Sequence, residues 1–155
     1  MNSQHCIIDL DDPTRPEIAA LLQAGEEYGA SLYPSESNHF LSIDALKADN
    51  VIFVSARDPD QKAIGTAALA LFDGWAELKR MWVIPEARGK GISRLLLNDL
   101  ENRARTAGAT CIRLETGVAN IEAIGLYNKA GFSLCGPFAN YLPDPLSVFM
   151  QKSLC

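Results

Sequence analysis

The sequence predicts an α/β (α+β) domain, with a mixed, mostly antiparallel central sheet of six to seven strands and helices on both faces. Three observations predict it. The β-rich runs 51–56, 62–72 and 75–84 are separated only by the turn signals Asp58-Pro59-Asp60 and Asp73-Gly74, so they form an antiparallel meander. The runs 75–84 and 110–116 are separated by a segment of helical periodicity, so at least one pair is parallel. The chain has 155 residues, 48 % hydrophobic and 21 % charged, which suits one domain with one core over residues 1–155.

The elements follow in order. Residues 5–10 contain Cys6-Ile7-Ile8, a first strand. Thr14-x-x-Glu17 has the form of a capping box, with Pro16 near the first turn. Ile18, Leu21 and Leu22 continue at helical spacing, which predicts a helix over 15–28. Residues 32–41 read as a loop, and 42–47 as one or two helical turns. After the meander, Ile92, Leu95, Leu96, Leu100, Ala104 and Ala107 form an apolar stripe. Arg103 and Arg105 suit the C-terminal end of that helix, and Gly108 stops it. Asn120 is placed to cap a further helix that ends at Gly131. Residues 132–135 and 146–152 close the sheet across a proline-rich loop unsuited to a central strand.

Composition limits the partners. The net charge of −5 argues against general nucleic-acid or anionic-membrane binding. No run reaches the length of a membrane span, and residues 1–10 are too short in apolar content for a signal peptide. A cytoplasmic location is expected. The cysteines at 6, 111, 135 and 155 form no Cys-x-x-Cys pair and no histidine cluster accompanies them, so no metal is expected. Cys111 reads as a buried small hydrophobe and Cys155 as a free, oxidisable thiol.

The richest segment is Val83-Ile84-Pro85-Glu86-Ala87-Arg88-Gly89-Lys90-Gly91-Ile92-Ser93, which joins a strand to a helix. A helix start exposes unpaired N–H groups at the positive end of its dipole. Glycines let a ligand approach the backbone, and Arg88 and Lys90 add cations, so the turn reads as a phosphate cradle. No Walker A loop is present. Gly89-x-Gly91 begins a dinucleotide fingerprint, but Arg94 holds the third glycine position. Glu115, at the end of the next apolar run, keeps a ribose-binding alternative open.

Arg88-Gly89-Lys90-Gly91-Ile92-Ser93 resembles the signature Arg/Gln-x-x-Gly-x-Gly/Ala of the GNAT superfamily of N-acetyltransferases, with Ser93 in place of the final Gly or Ala. Downstream, Asn120-Ile121-Glu122-Ala123 and Leu126-Tyr127-Asn128-Lys129-Ala130-Gly131-Phe132 are similar to that superfamily's later helix and its Leu-Tyr-x-x-x-Gly-Phe ending. The resemblance covers residues 62–152 well and the first 50 by layout only. It implies acetyl-CoA as co-substrate. The strand before the signature would splay from its parallel neighbour, and Met81, Trp82 and Val83 would pair with the pantetheine arm. The pyrophosphate would rest on N–H groups of Arg88, Gly89, Lys90, Gly91, Ile92 and Ser93. Asn120 and Lys129 are further candidate contacts, although each also suits a helix terminus.

Acetyl transfer requires a neutral amine, and a lysine-type amine has a pKa of about 10.4, so a proton must leave. Glu77 occupies the spacing of a catalytic glutamate in some members of the superfamily. Pairing with Lys79 or Arg80 is the structural alternative. A backbone N–H near Met81 or Trp82 would stabilise the developing oxyanion. Tyr127 is the expected donor to the departing thiolate, the alternative being a core aromatic.

The acceptor groove is expected between residues 33–39 and 138–144. Tyr33, Glu36, Ser37, Asn38, His39, Phe138, Tyr141 and Asp144 are the candidates there. Glu36 and Asp144 suit a cationic amine, and His39 a carboxylate or a proton. Of Lys79 and Arg80, strand alternation sends one to each side. The chain therefore reads as an N-acetyltransferase moving acetyl from acetyl-CoA to a small primary amine or amino-acid-like metabolite by direct ternary-complex transfer. A protein or peptide acceptor, a non-catalytic CoA sensor and a nucleotide-binding module are the competing readings. The resemblance also allows a homodimer through exchange of the C-terminal strand.

Overall fold

The computed structural model describes residues 6–34, 37 and 40–154. Glu36, Asn38, His39 and Cys155 lie outside the described residues. The elements run β1 (Ile7–Leu10), α1 (Pro16–Leu32), α2 (Ile43–Leu46), β2 (Val51–Arg57), β3 (Ala63–Leu71), β4 (Trp75–Val83), a 3₁₀ turn (Pro85–Ala87), α3 (Ile92–Thr106), β5 (Cys111–Gly117), α4 (Ile121–Lys129), β6 (Ser133–Cys135) and β7 (Ser147–Ser153).

The seven strands form one sheet in the order β1-β2-β3-β4-β5-β7-β6. Every pair is antiparallel except β4 with β5. The α3 connection makes that one pair parallel, as its length requires. The expected mixed sheet is therefore present, with β7 seated between β5 and β6 of its own chain.

Alternation along the strands builds two cores. Leu69, Ala76, Leu78, Ile112 and Leu114 face α3, where Ile92, Leu96, Leu97, Leu100 and Ala104 pack on them. Phe53, Ala63 and Ala68 face α1 and α2, where Ile18, Leu21, Leu22 and Leu46 cover them. Burying side chains of this size contributes about 1.5–3 kcal/mol each.

Several expectations change at the level of single residues. The capping box does not form. Asp12 Oδ1 accepts from both the N–H (2.8 Å) and the hydroxyl (2.6 Å) of Thr14, and Glu17 pairs instead with Arg57 at 3.1 Å. The helix thus begins at Pro16 with Arg15 as an uncapped N-cap, and it continues to Leu32. In α3 the buried stripe includes Leu97 and Glu101, while Ala107 is exposed. Glu101 is tolerated there because Lys152 of β7 donates to it at 2.8 Å. Cys111 is half-buried rather than a core residue, because it shares a strand face with Arg113 and Glu115.

Candidate active site

The site begins with an irregularity in β4. Thr66 pairs with Trp82 and Ala68 with Lys79, so Arg80 and Met81 together oppose the single residue Ala67. Arg80 sits at φ 58, a left-handed conformation unusual for a side chain of its size. Thr66 Oγ1 donates to the Arg80 carbonyl at 2.9 Å and fixes the bulge. The expectation that Lys79 and Arg80 point to opposite faces is therefore corrected. Lys79 lies opposite Ala68 of the α1-side core, and Arg80 also turns to α1, where it bonds the Leu22 carbonyl and Glu26.

The bulge bends β4 away from β5. The two strands pair only through Trp75–Glu77 with Cys111–Arg113. Beyond that point they diverge around a cavity of about 360 Å³, lined by residues 78–83 of β4, 114–117 of β5 and parts of α1 and α4. Met81, Trp82 and Val83 all line it.

Next to this opening lies the glycine turn. Gly89 and Gly91 adopt φ 77 and 79, and a Cβ on Gly89 would meet nothing within 4 Å, so its lower cost there is conformational. Among the described residues, no acceptor takes the N–H groups from Gly89 to Arg94. Arg88 differs from its expectation. Its N–H closes the 3₁₀ turn onto Pro85 at 3.3 Å. Its guanidinium donates to the Val83 carbonyl at 3.1 Å and stacks over Trp82 at 4.9 Å. Arg88 thus braces the end of β4, and the free amides start one residue later. Lys90 is exposed and Ile92 is 3 % exposed in the core, so Ile92 presents only backbone. Ser93 lines the cavity. Six free amides at a helix start, at the mouth of a split sheet, fit a diphosphate with an extended arm.

On the α4 side, Tyr127 lines the cavity and is 5 % exposed. Burial pushes its phenol well above the ordinary range, so it stays protonated at neutral pH. No hydrogen-bond partner of its hydroxyl is found among the described residues. Asn120 also lines the cavity, and its side chain makes no cap bond. Lys129 is exposed in the last turn of α4 and does not line the cavity.

Glu77 is 6 % exposed and does not line the cavity. The Tyr141 hydroxyl donates to its Oε2 at 2.5 Å, and Lys79 Nζ approaches the same oxygen at 3.4 Å. Lys79 also donates to the Tyr141 oxygen at 2.8 Å. Burial first, then the Glu77 contact, raises the Tyr141 pKa far above its usual value. Phe138 and Tyr141 do not line the cavity. Phe138 packs edge-on against Trp75, Tyr141 and Phe149, covering the open face of the sheet. Lys79 is the member of this group that reaches the cavity wall.

Tyr33 and Ser37 behave differently. Both line the cavity. The Tyr33 oxygen accepts from the Ala119 N–H at 2.9 Å, and Ser37 Oγ donates to Asp144 at 2.8 Å. The segment after α1 is thereby tied to both far rims. Glu115 was expected, at most, to hold a ribose. It lines the cavity and accepts from Ser147 Oγ at 2.8 Å. Period-two alternation carried its signal, because Ile112 and Leu114 face the core and Arg113 and Glu115 face the other way.

With this geometry in place, the class is defined: a split-sheet acyltransferase with a glycine turn of free amides at a helix start. Residues 15–132 match the Acetyltransferase (GNAT) family, and the chain belongs to that family, whose members are acetyl-CoA-dependent acyltransferases. The IAA acetyltransferase of Azospirillum brasilense is 42 % identical over 93 % of this chain and 95 % of its own length. The uncharacterized N-acetyltransferase YedL of Escherichia coli is 36 % identical over 96 % of this chain and 94 % of its own. A Klebsiella pneumoniae structure described as an acyl-CoA N-acyltransferase superposes with a TM-score of 0.83 at 36 % identity, covering 97 % and 98 % of the two chains. A Thermoplasma acidophilum PaiA N-acetyltransferase in complex with coenzyme A shares the fold, with a TM-score of 0.74 at 20 % identity over 96 % and 98 % of the chains. The family assignment removes the dinucleotide reading of Gly89-Lys90-Gly91. No described helix is long and apolar enough to cross a membrane.

Proposed function

We propose that this acetyltransferase moves the acetyl group of acetyl-CoA to the primary amine of a small, amino-acid-like molecule, by direct transfer with both substrates bound. One observation carries the reading. A cavity of about 360 Å³ lies between the split strands, with Tyr127 and Glu115 both in its wall. That volume is at the low end of small-ligand sites and is shared with the end of the pantetheine arm, which favours a compact acceptor over a peptide.

Acetyl-CoA supplies the activated carbonyl carbon. The amine nitrogen bonds to it, the carbon–sulfur bond breaks, and the nitrogen's proton must leave. Glu115, at the cavity wall, is placed to receive that proton directly or through water. Among the described residues, Glu77 meets the cavity through Lys79, and Tyr141 bridges the two away from the wall. We therefore assign Glu77 to holding those two groups, and Glu115 to the base. A backbone N–H on the β5-facing edge of Met81–Trp82 takes the developing oxyanion. Tyr127, in the cavity wall, keeps its hydroxyl protonated. A phenol with a raised pKa is a weaker acid than a thiol of pKa about 8.5. Its contribution is a hydrogen bond that stabilises the thiolate, rather than complete proton transfer. The amides from Gly89 to Ser93, with Lys90 nearby, hold the diphosphate, and Asn120 and Trp82 flank the arm.

The test is steady-state release of free CoA across a panel of small amines and peptide N-termini, with pH–rate profiles for wild type, Glu115→Gln and Glu77→Gln. Turnover with small amines is expected, together with loss of the profile's acidic limb in Glu115→Gln only. Turnover confined to peptides, or an unaltered limb in Glu115→Gln, would refute the assignment.

A further inference from the structure

The Arg80 side chain is 3 % exposed, yet among the described residues only one of its two terminal nitrogens is used. Nη2 donates to Glu26 at 2.9 Å and to the Leu22 carbonyl at 3.3 Å. Nη1 is buried without a partner among the described residues, and so is the indole Nε1 of Trp82 two residues on. Both residues line the cavity. A buried cationic donor with no acceptor is costly, and a native chain retains one where something else completes it.

The backbone reinforces the point. Ordinary alternation would send Arg80 toward α3. The bulge, at the cost of a positive φ, turns it to the α1 side and stacks it over Phe40 at 5.1 Å. A bulge that re-aims one side chain is a recurring device beside active sites. Glu26, the ion partner, is 48 % exposed and occupies only one edge of the fork. The guanidinium can therefore meet a second carboxylate through Nη1.

We propose that Arg80 Nη1, assisted by Trp82 Nε1, is the subsite for a carboxylate on the acceptor. The acceptor is then a molecule bearing both an amine and a carboxylate. This narrows the small-amine reading above and rests on it. The cavity wall suits such a molecule, because Arg80 supplies the cation on the α1 side and Glu115 the carboxylate on β5. Arg80 acts as a specificity residue by binding the end of the acceptor that does not react.

Calorimetry on CoA-saturated protein tests the subsite without requiring turnover. The probes are L-phenylalanine and L-tryptophan beside phenethylamine and tryptamine, which lack only the carboxylate. Wild type is expected to bind at least one amino acid about tenfold or more tightly than its decarboxylated partner, the size expected for a hydrogen-bonded charge pair. Arg80→Gln should reduce that ratio to about one while leaving CoA affinity unchanged, which also reports that the variant is folded. Glu26→Gln, a surface change, should tighten the amino acids by removing the competing carboxylate. Equal binding of both members of each pair in wild type, no binding of any amino acid, or a ratio that survives Arg80→Gln would overturn the subsite. Amino acids that bind in this pattern but are never acetylated would leave the subsite standing and refute the transfer reading instead.

Discussion

The Tyr33 hydroxyl fills the space that a Cβ at position 117 would take, and Gly117 admits it. A Cβ on Gly117 would overlap the Tyr33 oxygen, which accepts the Ala119 N–H at 2.9 Å. The glycine is thus required by a close approach rather than by a turn, and the contact closes the segment after α1 over the end of β5. Gly117→Ala should displace Tyr33 and open that rim. The expected result is a KM for the acceptor raised about tenfold, with the KM for acetyl-CoA nearly unchanged. Tyr33→Phe keeps the ring and loses one neutral hydrogen bond of about 1 kcal/mol, so it should have a smaller effect. Steady-state kinetics with each substrate varied in turn would check both. A parallel rise in both KM values would show that Tyr33 is not an acceptor-side closure.

Tyr141 is the partner that makes a buried Glu77 tolerable. Tyr141→Phe removes a 2.5 Å bond and leaves Lys79, at 3.4 Å, as the remaining contact to that carboxylate oxygen. Bonds to charged groups are worth about 1.5–3 kcal/mol, so a loss of that order in urea unfolding is expected. Glu77→Gln should cost less, because a neutral amide still accepts from Tyr141. If Glu77→Gln destabilised more than Tyr141→Phe, the carboxylate would owe its stability chiefly to Lys79.

Most of the sheet was legible because alternation and turn chemistry act locally. Asp73-Gly74 closes its hairpin with Phe72 donating to Trp75 at 2.8 Å, as the pair of residues implies. The glycine turn before α3 was legible for the same reason, since glycine, cation and helix start fall within six residues. What failed was nonlocal. Period two gives the face of Arg80 wrongly, because the bulge depends on Thr66 of the neighbouring strand. Thr14 and Glu17 match a capping box, but Asp12 and Arg57 compete for them. Phe138 and Tyr141 looked like acceptor contacts because they are aromatic residues in a loop. Their rings instead cover the sheet beside Trp75 and Phe149.

Asp11 contributes to the acid limit of stability. Burial alone raises its carboxyl, but bonds from the Ser55 hydroxyl, the Asp12 N–H and the Arg57 guanidinium outweigh that and hold it below the usual range. A depressed pKa contributes stability that is present above the unfolded value of about 3.9 and is lost as pH falls through the folded value. The melting temperature should therefore fall below pH about 4. Asp11→Asn should flatten that slope while lowering stability at neutral pH. Thermal unfolding across pH 2–7 would show it, and an unchanged acid slope in Asp11→Asn would place the titration elsewhere.

Tyr127 offers the sharpest separation of chemistry from binding. Tyr127→Phe keeps the ring that packs on Phe132 at 5.7 Å and removes only the hydroxyl. If that hydroxyl stabilises the departing thiolate, the loss falls on the transition state. One hydrogen bond to a charged group then corresponds to a kcat lower by roughly ten- to a hundredfold, with acetyl-CoA affinity unchanged. The pH dependence makes the test stricter. Burial holds the phenol above its ordinary value of about 10, so its folded form stays protonated past the point where an unfolded tyrosine ionises. The stability it contributes is present below pH about 10 and declines as pH rises above that. The wild type should therefore lose melting temperature above pH about 10 more steeply than Tyr127→Phe, while its kcat profile shows no tyrosine titration below that pH. A kcat within twofold of wild type, with the alkaline stability slope still flattened, would make Tyr127 a packing residue and move thiolate stabilisation to another group on the cavity wall.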